Sequence, residues 1–477
     1  MLKKAKIAIV GAGVAGSTTA IYLGKLGLNV TLFEKEKSLV TGPPFCHLHA
    51  GGNLYRDISD AQCITLLKQS IDFLKFYPFV VDYRPTVIAL PTTDKSNPEA
   101  LLTRLKLIQS EYEKLIQNDP SNKVLGKSND YFKLYDRADI EVLKTATIVS
   151  RPQTLDEWMT PVAQKIDLAK VQFPLIMVQE YGLNLFRLAS GALLTIAEMQ
   201  SVNLRTETSV TSITKENNQW KIGYEKADTR QYETFDYLIN ATGFRTGKID
   251  DMLGAPCKRM VEFKAAYVTQ WQGSDKILFP EIIFHGERGT PQGMGQFTPY
   301  PGGYFQLHGM TNNITLYKDG LVANSKFSCQ PELGQNFIEK IEKSWDKKET
   351  AERTNAAIKH LSQFIPDFST ATVASKPLFG AQQIPGDDPS LRVAEVSFPA
   401  ERYARCEIVK VSSVIDMIQA IILQLIELNY LDNSATEKKV FNALENLEED
   451  VLQKVAHDLC IERNYPTCLS NRNVAKK

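Results

Sequence analysis

The sequence lacks an excess of charge of either sign, closely paired cysteines and long hydrophobic runs. Its 55 basic residues equal its 55 acidic ones, so bulk charge predicts no binding to nucleic acid or to an anionic membrane. The seven cysteines are an odd number and include no C-x-x-C pair, which favours reduced thiols and a cytoplasmic protein. The cluster of Cys46, His47 and His49 has no second ligand pair at zinc spacing, so no metal site is expected.

Two segments superficially similar to membrane-directed sequences do not have the required pattern. The basic N-terminus is followed by a short apolar run that Gly11 and Gly13 interrupt, so no signal peptide is expected. Residues 411–428 are apolar but include Asp416 and Glu427, and they fall short of the ~20 apolar residues that span a bilayer. We predict a buried helix there and no transmembrane segment.

Several common catalytic motifs are also missing from the sequence. The chain has no G-x-x-x-x-G-K-[ST], no H-E-x-x-H and no G-x-S-x-G, which argues against a P-loop nucleotidase, a zincin protease and an α/β-hydrolase. With 477 residues, of which 43% are hydrophobic and 23% charged, the chain has the composition of a globular protein of two or three packed units.

The start of the chain contains a nucleotide-binding pattern. Residues 6–34 predict a strand, a turn, a helix and a second strand, and the turn has the sequence Gly11-Ala-Gly13-Val-Ala-Gly16. Gly11 would allow the tight turn, Gly13 the approach of a diphosphate, and Gly16 close packing of helix on strand. We expect the diphosphate at the helix N-terminus, near Ala15, because free N–H groups and the helix dipole favour anions there.

An acidic residue follows the glycine motif at a suitable distance. Glu34 lies 23 residues after Gly11, at the predicted end of the second strand. A carboxylate there accepts hydrogen bonds from ribose hydroxyls and disfavours a 2′-phosphate. Glu34 and the adjacent Lys35 are therefore the expected contacts of the adenosine part. The alternative is a glycine-rich turn followed by a surface glutamate.

The rest of the chain shows both helical and strand patterns. Helices are predicted at residues 64–77, 99–117, 183–200, in the region after residue 335, and at 434–461, where Ser434 and Glu437 form a capping box. Strands are predicted at residues 86–90, as a three-stranded meander at 204–238, and as an antiparallel sheet at 261–321. Residues 118–135 have the composition of a connector.

The chain resembles the D-amino-acid oxidase superfamily, flavoproteins with a glutathione-reductase-like FAD domain. The resemblance rests on the glycine motif with Glu34, on residues 180–189 with the helix that follows, and on residues 208–213 followed by Asn240-Ala-Thr242-Gly243. It implies an α/β fold with a Rossmann-like FAD-binding domain made of a parallel sheet plus a β-meander. A second, α+β substrate domain built on an antiparallel sheet completes the expected architecture.

The resemblance implies FAD as the cofactor and a discontinuous FAD domain. The domain would comprise residues 1–80, 181–255 and 375–430, with 81–180 and 256–374 as the substrate domain and 431–477 as a helical tail. No second G-x-G-x-x-G occurs in a strand–turn–helix setting, so no separate nicotinamide domain is expected. The expected cofactor contacts are Gly11, Gly13, Ala15, Gly16, Glu34, Lys35, Val210, Thr242, Gly243 and Ser412.

The segment after Glu34 would, by the resemblance, lie over the redox face of the flavin. His47 and His49 are two residues apart and point the same way in an extended chain. Either could take a proton from a substrate hydroxyl or amine, one could carry the flavin covalently, or both could hold the loop through backbone hydrogen bonds. The sequence at His49 is similar to the active-site loop of 2-hydroxyglutarate oxidoreductases, and residues 377–415 are distantly similar to malate:quinone oxidoreductases.

A substrate carboxylate requires a cation, ideally the bidentate fork of an arginine. Arg402 and Arg405 are the favoured pair because they precede the helix near Ser412, whose N-terminus points at the flavin in the resembled family. The other candidates for this part of the site are Arg84, Arg187, Tyr304, Gln306 and His308.

Three functions are compatible with the sequence. We predict an FAD-dependent oxidoreductase that takes hydride from a carbon bearing a hydroxyl or amine, next to a carboxylate, and passes electrons to oxygen or a quinone. The alternatives are an FAD monooxygenase or halogenase that uses external NAD(P)H, and a flavin-bound protein without turnover. The expected partner is a small-molecule substrate and not nucleic acid, and contact with a membrane surface would follow if a quinone is the acceptor.

Overall fold

Two large sheets organise the computed structural model, which describes residues 3–52, 58–436 and 446–474. The helices are α1 (Val14–Lys25), α2 (Asp60–Phe76), α3 (Leu102–Asn118), α4 (Arg137–Leu143), α5 (Leu155–Lys165), α6 (Leu185–Ala197), α7 (Thr246–Leu253), α8 (Tyr317–Gly320), α9 (Gln335–Glu342), α10 (Lys347–Leu361), α11 (Val414–Glu427) and α12 (Glu449–Glu462). The first twelve strands are β1 (Lys6–Val10), β2 (Asn29–Phe33), β3 (Val81–Asp82), β4 (Thr86–Ala89), β5 (Phe132–Tyr135), β6 (Leu175–Val178), β7 (Gly182–Leu183), β8 (Val202–Arg205), β9 (Ser209–Glu216), β10 (Gln219–Lys226), β11 (Thr229–Phe235) and β12 (Tyr237–Asn240). The remaining strands are β13 (Arg259–Gln270), β14 (Glu281–Phe284), β15 (Gly295–Tyr300), β16 (Tyr304–Gly309), β17 (Leu321–Ala323), β18 (Thr372–Val373), β19 (Leu378–Pro385), β20 (Val396–Ala400) and β21 (Tyr403–Cys406).

The first sheet has six strands in the order β20-β21-β12-β1-β2-β8. All neighbours are parallel except β20 and β21. Strand β1 is central, and its apolar side chains are buried because the sheet is covered on both faces. The predicted strand–turn–helix–strand unit is confirmed as β1-α1-β2, which places the glycine turn at the carboxyl end of the central strand, where open α/β sheets bind ligands.

Strands β9 to β11 form the predicted three-stranded meander. Its inner side chains, among them Trp220 and Ile222, pack with Phe33 of β2 and Leu238 of β12 in one apolar cluster. The meander is therefore anchored to the parallel sheet on the side where the second strand of the nucleotide-binding unit ends.

The second sheet has ten strands and comes from two separate stretches of sequence. Its main path is β17-β13-β16-β15-β14-β4-β6-β5, with β18 and β19 also paired to β13. The predicted antiparallel sheet is confirmed for β13 to β16, whereas β14 and β4 run parallel. This parallel pair joins the region around residue 86 to the region around residue 281, so two segments of the expected substrate domain share one sheet.

Two expected boundaries differ in the structure. Strand β19 lies after the expected domain boundary at residue 374, but it pairs with β13 over eight residue positions from Arg259↔Pro385 to Ala266↔Leu378. The expected connector at 118–135 ends in β5, which pairs with β6. A pairing partner far along the chain makes each segment a strand, and a local composition pattern does not contain that information.

The predicted C-terminal helix was wrong in its start. Ser434 lies in a short turn, and its side chain bonds Asp432, while its expected capping partner Glu437 lies outside the described residues. The helix α12 begins at Glu449 and packs on α6, where the Arg187 guanidinium lies 2.7 Å from the Glu449 carboxylate.

The predicted helix over residues 411–428 is confirmed as α11, most of whose apolar side chains are buried. In the described ranges, no helix combines the length and the hydropathy needed to cross a bilayer. All seven cysteines are free thiols, and five of them are buried.

Candidate active site

A cavity of about 560 Å³ lies between the glycine turn of the six-stranded sheet and the ten-stranded sheet. Its lining comes from the β1–α1 turn, residues 40–49, strands β13, β15, β16 and β19, and segments 389–392 and 408–411. Two elements predicted separately, the nucleotide-binding turn and the histidine segment, therefore open into one cavity.

Glycine is suited to each of the three motif positions for a different structural reason. Gly11 has a φ of +94°, and a Cβ there would lie 2.6 Å from the carbonyl oxygen of Ala241. A Cβ on Gly16 would lie 1.8 Å from the carbonyl oxygen of Gly11, so only glycine lets helix and strand pack. Gly13 has an ordinary φ of −66° and no atom within 4 Å of an added Cβ, because it faces the cavity.

The space in front of Gly13 is a cradle that a side chain would fill. Gly13, Val14 and Ala15 line it at the N-terminus of α1, and the first turn of α1 has no acidic side chain. The unpaired N–H groups and the positive end of the helix dipole therefore face the cavity, an arrangement that suits a diphosphate.

The expected ribose contact is buried beside this cradle. The Oε2 atom of Glu34 accepts a 2.7 Å hydrogen bond from the N–H of Ala12, and Oε1 accepts one of 2.9 Å from Glu36. Burial raises the pKa of Glu34, although these backbone N–H groups act in the opposite direction. Thr208, two residues before Val210 of β9, donates its N–H to the Glu34 carbonyl oxygen. The neighbouring Lys35 points outward and pairs with Glu36 at 2.9 Å.

The remaining expected cofactor residues lie around the cradle. Gly243 lines the cavity with a φ of +59°. The Thr242 hydroxyl donates to Asn240, which fixes the turn after β12. Ser412 is buried in the short turn that begins α11, directly after the cavity-lining Val411.

His47 is held in a buried ion pair at the boundary between the two sheets. Its Nδ1 atom lies 2.6 Å from Oε1 of Glu281, and the second carboxylate oxygen lies 2.6 Å from Nη1 of Arg84. Burial alone would lower the pKa of His47, but the charges of Glu281 and Cys46 raise it to about 10. His47 is therefore an imidazolium at neutral pH, and its Nε2 atom has no hydrogen-bond partner among the described residues.

Neighbouring groups fix this ion pair. The side chain of Gln296 donates to Oε1 of Glu281 at 2.8 Å and to the Cys46 sulfur at 3.1 Å. A Cβ on Gly182 would lie 2.7 Å from the Arg84 guanidinium, so a glycine is needed for Arg84 to reach Glu281. Cys46, His47 and Glu281 offer ligand atoms within 4.8 Å of one another, but Arg84 and the imidazolium already supply the positive charge that a metal ion would bring.

His49 and His47 differ in their charge state. The two rings are edge to face with centroids 4.3 Å apart, and both side chains line the cavity. Burial, followed by the charges of Lys410 and His47, lowers the pKa of His49 well below its ordinary value. The site therefore offers a neutral imidazole next to a charged one.

The wall opposite the glycine cradle is basic. Lys264, Arg288, Arg392 and Lys410 all line the cavity, and no aspartate or glutamate belongs to its lining within the described ranges. Behind the wall, Glu262 lies 2.8 Å from Arg288 and 3.4 Å from Lys264. This wall can bind an anion, and we call these four residues the basic wall.

The favoured arginine pair of the sequence lies elsewhere. Arg405 on β21 pairs with buried Asp250 at 3.0 Å, and Arg402, with a φ of +61°, donates to the carbonyl oxygen of Asn218. Neither side chain belongs to the cavity lining. The expectation used their distance from α11 along the chain, whereas the antiparallel turn between β20 and β21 directs Arg402 towards the meander.

Of the other polar candidates, some line the cavity and others lie outside it. Gln306 and His308 line the cavity, and the pKa of His308 is lowered to about 4 by burial and by Lys264. Arg84 acts through Glu281, as described above. Arg187 is buried against α12 and has no place in the lining. Tyr304 is also outside it.

Sequence reasoning missed Glu281 and all four residues of the basic wall, Lys264, Arg288, Arg392 and Lys410. The available signal was a charged residue within an apolar strand pattern, as in Glu281-Ile-Ile-Phe284 and Phe263-Lys264-Ala-Ala266. A buried charge is rare unless it is paired, so these positions were detectable as unusual. Their partners were not, because Glu281 and His47 are 234 residues apart in the sequence.

We expect Glu281→Gln to reduce the free energy of unfolding by about 3–5 kcal/mol, since it leaves the buried Arg84 and His47 without their shared carboxylate. The raised pKa of His47 contributes stability that is complete below pH 6.5 and is lost as the pH rises through about 10. The difference between wild type and variant should therefore shrink over this interval in denaturant titrations.

The matched control is Glu216→Gln, which breaks the exposed 3.1 Å pair with Lys221. We expect this control to change stability by less than about 1 kcal/mol. Equal stability of wild type and Glu281→Gln at pH 7 would contradict the buried ion pair.

Solved structures with the same fold include oxidases and a deaminase. Glycine oxidase from Geobacillus kaustophilus is 10% identical, with a TM-score of 0.56 over 89% of this chain and 95% of that chain. L-amino acid deaminase from Proteus vulgaris is 13% identical, with a TM-score of 0.58 over 91% and 97%. L-α-glycerophosphate oxidase from Mycoplasma pneumoniae, solved with FAD bound, is 15% identical, with a TM-score of 0.56 over 89% and 95%. At such identities these likenesses show the fold.

The fold and the cradle define a dinucleotide-binding architecture in which the nucleotide cradle and the ten-stranded sheet share one cavity. Residues 6–113 match the family model described as DAO, FAD-dependent oxidoreductase. The match shows an FAD-dependent oxidoreductase domain at residues 6–113, the stretch that contains the glycine cradle and Glu34, and FAD is the cofactor of that domain. The comparison with curated protein sequences gave no match.

Proposed function

We propose that the protein takes a hydride from a carbon that bears a hydroxyl or an amine in a small carboxylate substrate. The electrons then pass to oxygen or a quinone. One observation carries the proposal: a single cavity is lined by the nucleotide cradle, by one charged and one neutral histidine, and by the basic wall. Together these groups can bind a flavin, accept a proton from the substrate and bind an anionic substrate.

Bound FAD supplies the hydride acceptor. The N-terminus of α1 at Gly13 would bind its diphosphate, and Glu34 its ribose. Gly243 and the turn at Ser412 would hold it from the other side of the cavity. The chain provides orientation, the removal of a proton and the grip on the substrate.

We propose that His49 is the base. Its lowered pKa keeps the imidazole neutral at physiological pH, and a neutral imidazole accepts a proton from a hydroxyl or an ammonium group. His49 lies near Lys410 and His47 in the cavity lining. Protonation of His49 is disfavoured there because it would add a second positive charge nearby.

We propose that His47 is a fixed donor and not a base. Its proton on Nδ1 is held by Glu281 at 2.6 Å, which leaves Nε2–H free to donate towards the cavity. A protonated imidazole in this position would stabilise negative charge on a substrate oxygen. Covalent attachment of the flavin to His47 would remove this donor, so the arrangement favours noncovalent FAD.

We assign binding of the substrate carboxylate to the basic wall rather than to Arg402 and Arg405. Arg288 and Arg392 offer guanidinium groups to the cavity, and guanidinium binds carboxylate through two parallel hydrogen bonds. Arg405 is already occupied by Asp250.

The test is anaerobic reduction of the bound flavin. We expect the 450-nm absorbance of the holoenzyme to bleach with at least one member of a panel of 2-hydroxy acids, amino acids and amines. NAD(P)H oxidation stimulated by an aromatic or lipid substrate, with no bleaching by the panel, would contradict the proposal and favour a monooxygenase. Full FAD occupancy with neither reaction would indicate a protein without turnover.

Two further aspects of the sequence-based expectation enter as proposals. We propose a cytoplasmic location, supported by the seven free thiols. We also propose the discontinuous division into FAD domain, substrate domain and tail, with the boundary at residue 374 moved to follow β19, since this strand pairs with β13.

A further inference from the structure

A second cavity, of about 760 Å³, lies at the start of β13, and the proposed function makes no use of it. Its lining comes from residues 250–251, 254–259, 323–329 and 386–387, none of which lines the cavity of the candidate active site. Cys257 and Cys329 both belong to this lining, and both are free thiols. Two cysteines therefore share one cavity away from the nucleotide cradle.

The two cysteines are 72 positions apart in the sequence, yet each thiol contacts the segment that carries the other. The sulfur of Cys257 lies 4.0 Å from the carbonyl oxygen of Cys329, and the sulfur of Cys329 lies 3.4 Å from the carbonyl oxygen of Ala255. The side-chain amide of Asn324 donates to the carbonyl oxygens of both Cys257 and Ser328, at 3.1 Å and 2.8 Å. This amide holds the two backbones side by side, so the thiols face each other in the folded chain.

The surroundings of the two sulfur atoms differ. Cys257 is half-buried, and the Nε–H group of Arg259 donates to its sulfur at 3.2 Å. A positively charged donor at the sulfur stabilises the thiolate, which is the nucleophilic form of cysteine. Cys329 is buried, and burial together with the neighbouring Cys257 raises the pKa of its thiol to about 12. We therefore expect Cys257 to react first with an electrophile from the cavity, and Cys329 to remain a thiol beside it.

We infer that Cys257 and Cys329 form a modification site at which a hydroperoxide is reduced and the two thiols close to a disulfide. In the first step the Cys257 sulfur attacks one peroxide oxygen, the O–O bond breaks, and hydroxide leaves, so that sulfur is oxidised to a sulfenic acid. In the second step the Cys329 sulfur attacks that sulfur, the S–O bond breaks, and the thiol proton leaves with the hydroxyl group as water. Two thiols and one hydrogen peroxide thus give one disulfide and two waters.

The oxidant does not have to come from outside. A reduced flavin that gives its two electrons to oxygen produces hydrogen peroxide, so the proposed reaction with oxygen would supply it. The thiol chemistry itself requires no turnover. Added peroxide therefore tests the site independently of the proposed function.

The decisive experiment maps the product in the full-length, FAD-loaded protein. The protein is reduced with dithiothreitol, freed of it, treated with an equimolar amount of hydrogen peroxide, and alkylated before digestion with trypsin. We expect one disulfide that links peptide 249–258, which contains Cys257, to peptide 327–340, which contains Cys329. The other five cysteines should be recovered in the alkylated form. Absence of this linkage, or a disulfide between other cysteines, would overturn the inference.

Single variants test the order of the two steps. In Cys329→Ser, the sulfenic acid of Cys257 has no partner, so we expect dimedone to label Cys257 about tenfold or more faster than Cys468. In Cys257→Ser, we expect no disulfide and no comparable labelling of Cys329. Cys468→Ser is the matched control and should form the disulfide like the wild type, since Cys468 is the other half-buried cysteine. Faster labelling of Cys329 than of Cys257 would overturn the assigned order.

Thermal unfolding tests whether the folded chain already holds the two thiols in place for the bond. A disulfide between these positions closes a loop of 72 residues in the unfolded chain, which stabilises the folded state when the bond fits the native geometry. We expect the peroxide-treated protein to unfold about 2 °C or more above the reduced protein, and dithiothreitol to reverse the difference. A lower unfolding temperature after oxidation would show that the bond distorts the fold, and would overturn the inference of a preformed site.

Discussion

Gly13→Val is expected to abolish FAD binding without unfolding the protein. The backbone at Gly13 has an ordinary φ of −66°, and an added Cβ meets no protein atom within 4 Å. The valine side chain would therefore occupy only the space in front of the N-terminus of α1, where we propose that the diphosphate binds. We expect the purified variant to be colourless after reconstitution with FAD, and its circular dichroism spectrum to match that of the wild-type apoprotein.

The contrast variant is Gly16→Ala, which changes a different property of the same motif. Its Cβ would lie 1.8 Å from the carbonyl oxygen of Gly11, so helix and strand must separate. We expect this variant to unfold at a clearly lower temperature or to be insoluble. Normal FAD content in Gly13→Val would show that the diphosphate lies elsewhere, and the cofactor assignments at the cradle would then fail.

His49→Ala is expected to slow flavin reduction by about a hundredfold or more, the usual contribution of a general base. The effect should appear in the limiting rate of anaerobic stopped-flow reduction and much less in the substrate concentration at half saturation. Added imidazole should restore part of the rate because the variant leaves an empty space at the base. His457→Ala is the matched control, since His457 lies on α12 and bonds Asn471.

The pH dependence of this rate follows from the charge state of His49. A base whose pKa is lowered well below 6.5 is neutral, and therefore active, at all pH values above that pKa. With a 2-hydroxy acid as substrate, the reduction rate of the wild type should be constant from about pH 6.5 up to the region of pH 10, where His47 loses its proton, and should fall at lower and at higher pH. A wild-type rate in His49→Ala would exclude the residue as the base.

Local patterns were sufficient for the nucleotide-binding unit. Gly11 and Gly16 each have a backbone requirement in the β1–α1 turn, Gly13 leaves the cradle open, and Glu34 directly follows the next strand. The approach of Gly16 to Gly11 and the hydrogen bond from Ala12 to Glu34 are made within one crossover connection, and Ala241 adds a distant contact at Gly11. The meander and α11 were predicted for the same reason, since period and composition report contacts with near neighbours.

The catalytic residues of the site could be predicted from the sequence only in part. His47 and His49 were named because they follow the motif in a glycine-rich and proline-rich segment, but nothing local shows that one is charged and the other neutral. That difference comes from Glu281 and Lys410, which other elements place beside them. Arg405 was a favoured candidate because a single sequence does not show that Asp250 pairs with it.

The sequence by itself determined the βαβ unit, its glycine cradle and hence the class of cofactor, because these depend on backbone geometry at consecutive residues. Only the tertiary structure decided the substrate side. Strand pairing between β14 and β4, and between β13 and β19, brings residues from the middle and end of the chain to the histidine segment. The charge states and the basic wall arise from electrostatic interactions across those pairings, which act through space and leave no periodic trace in the order of the residues.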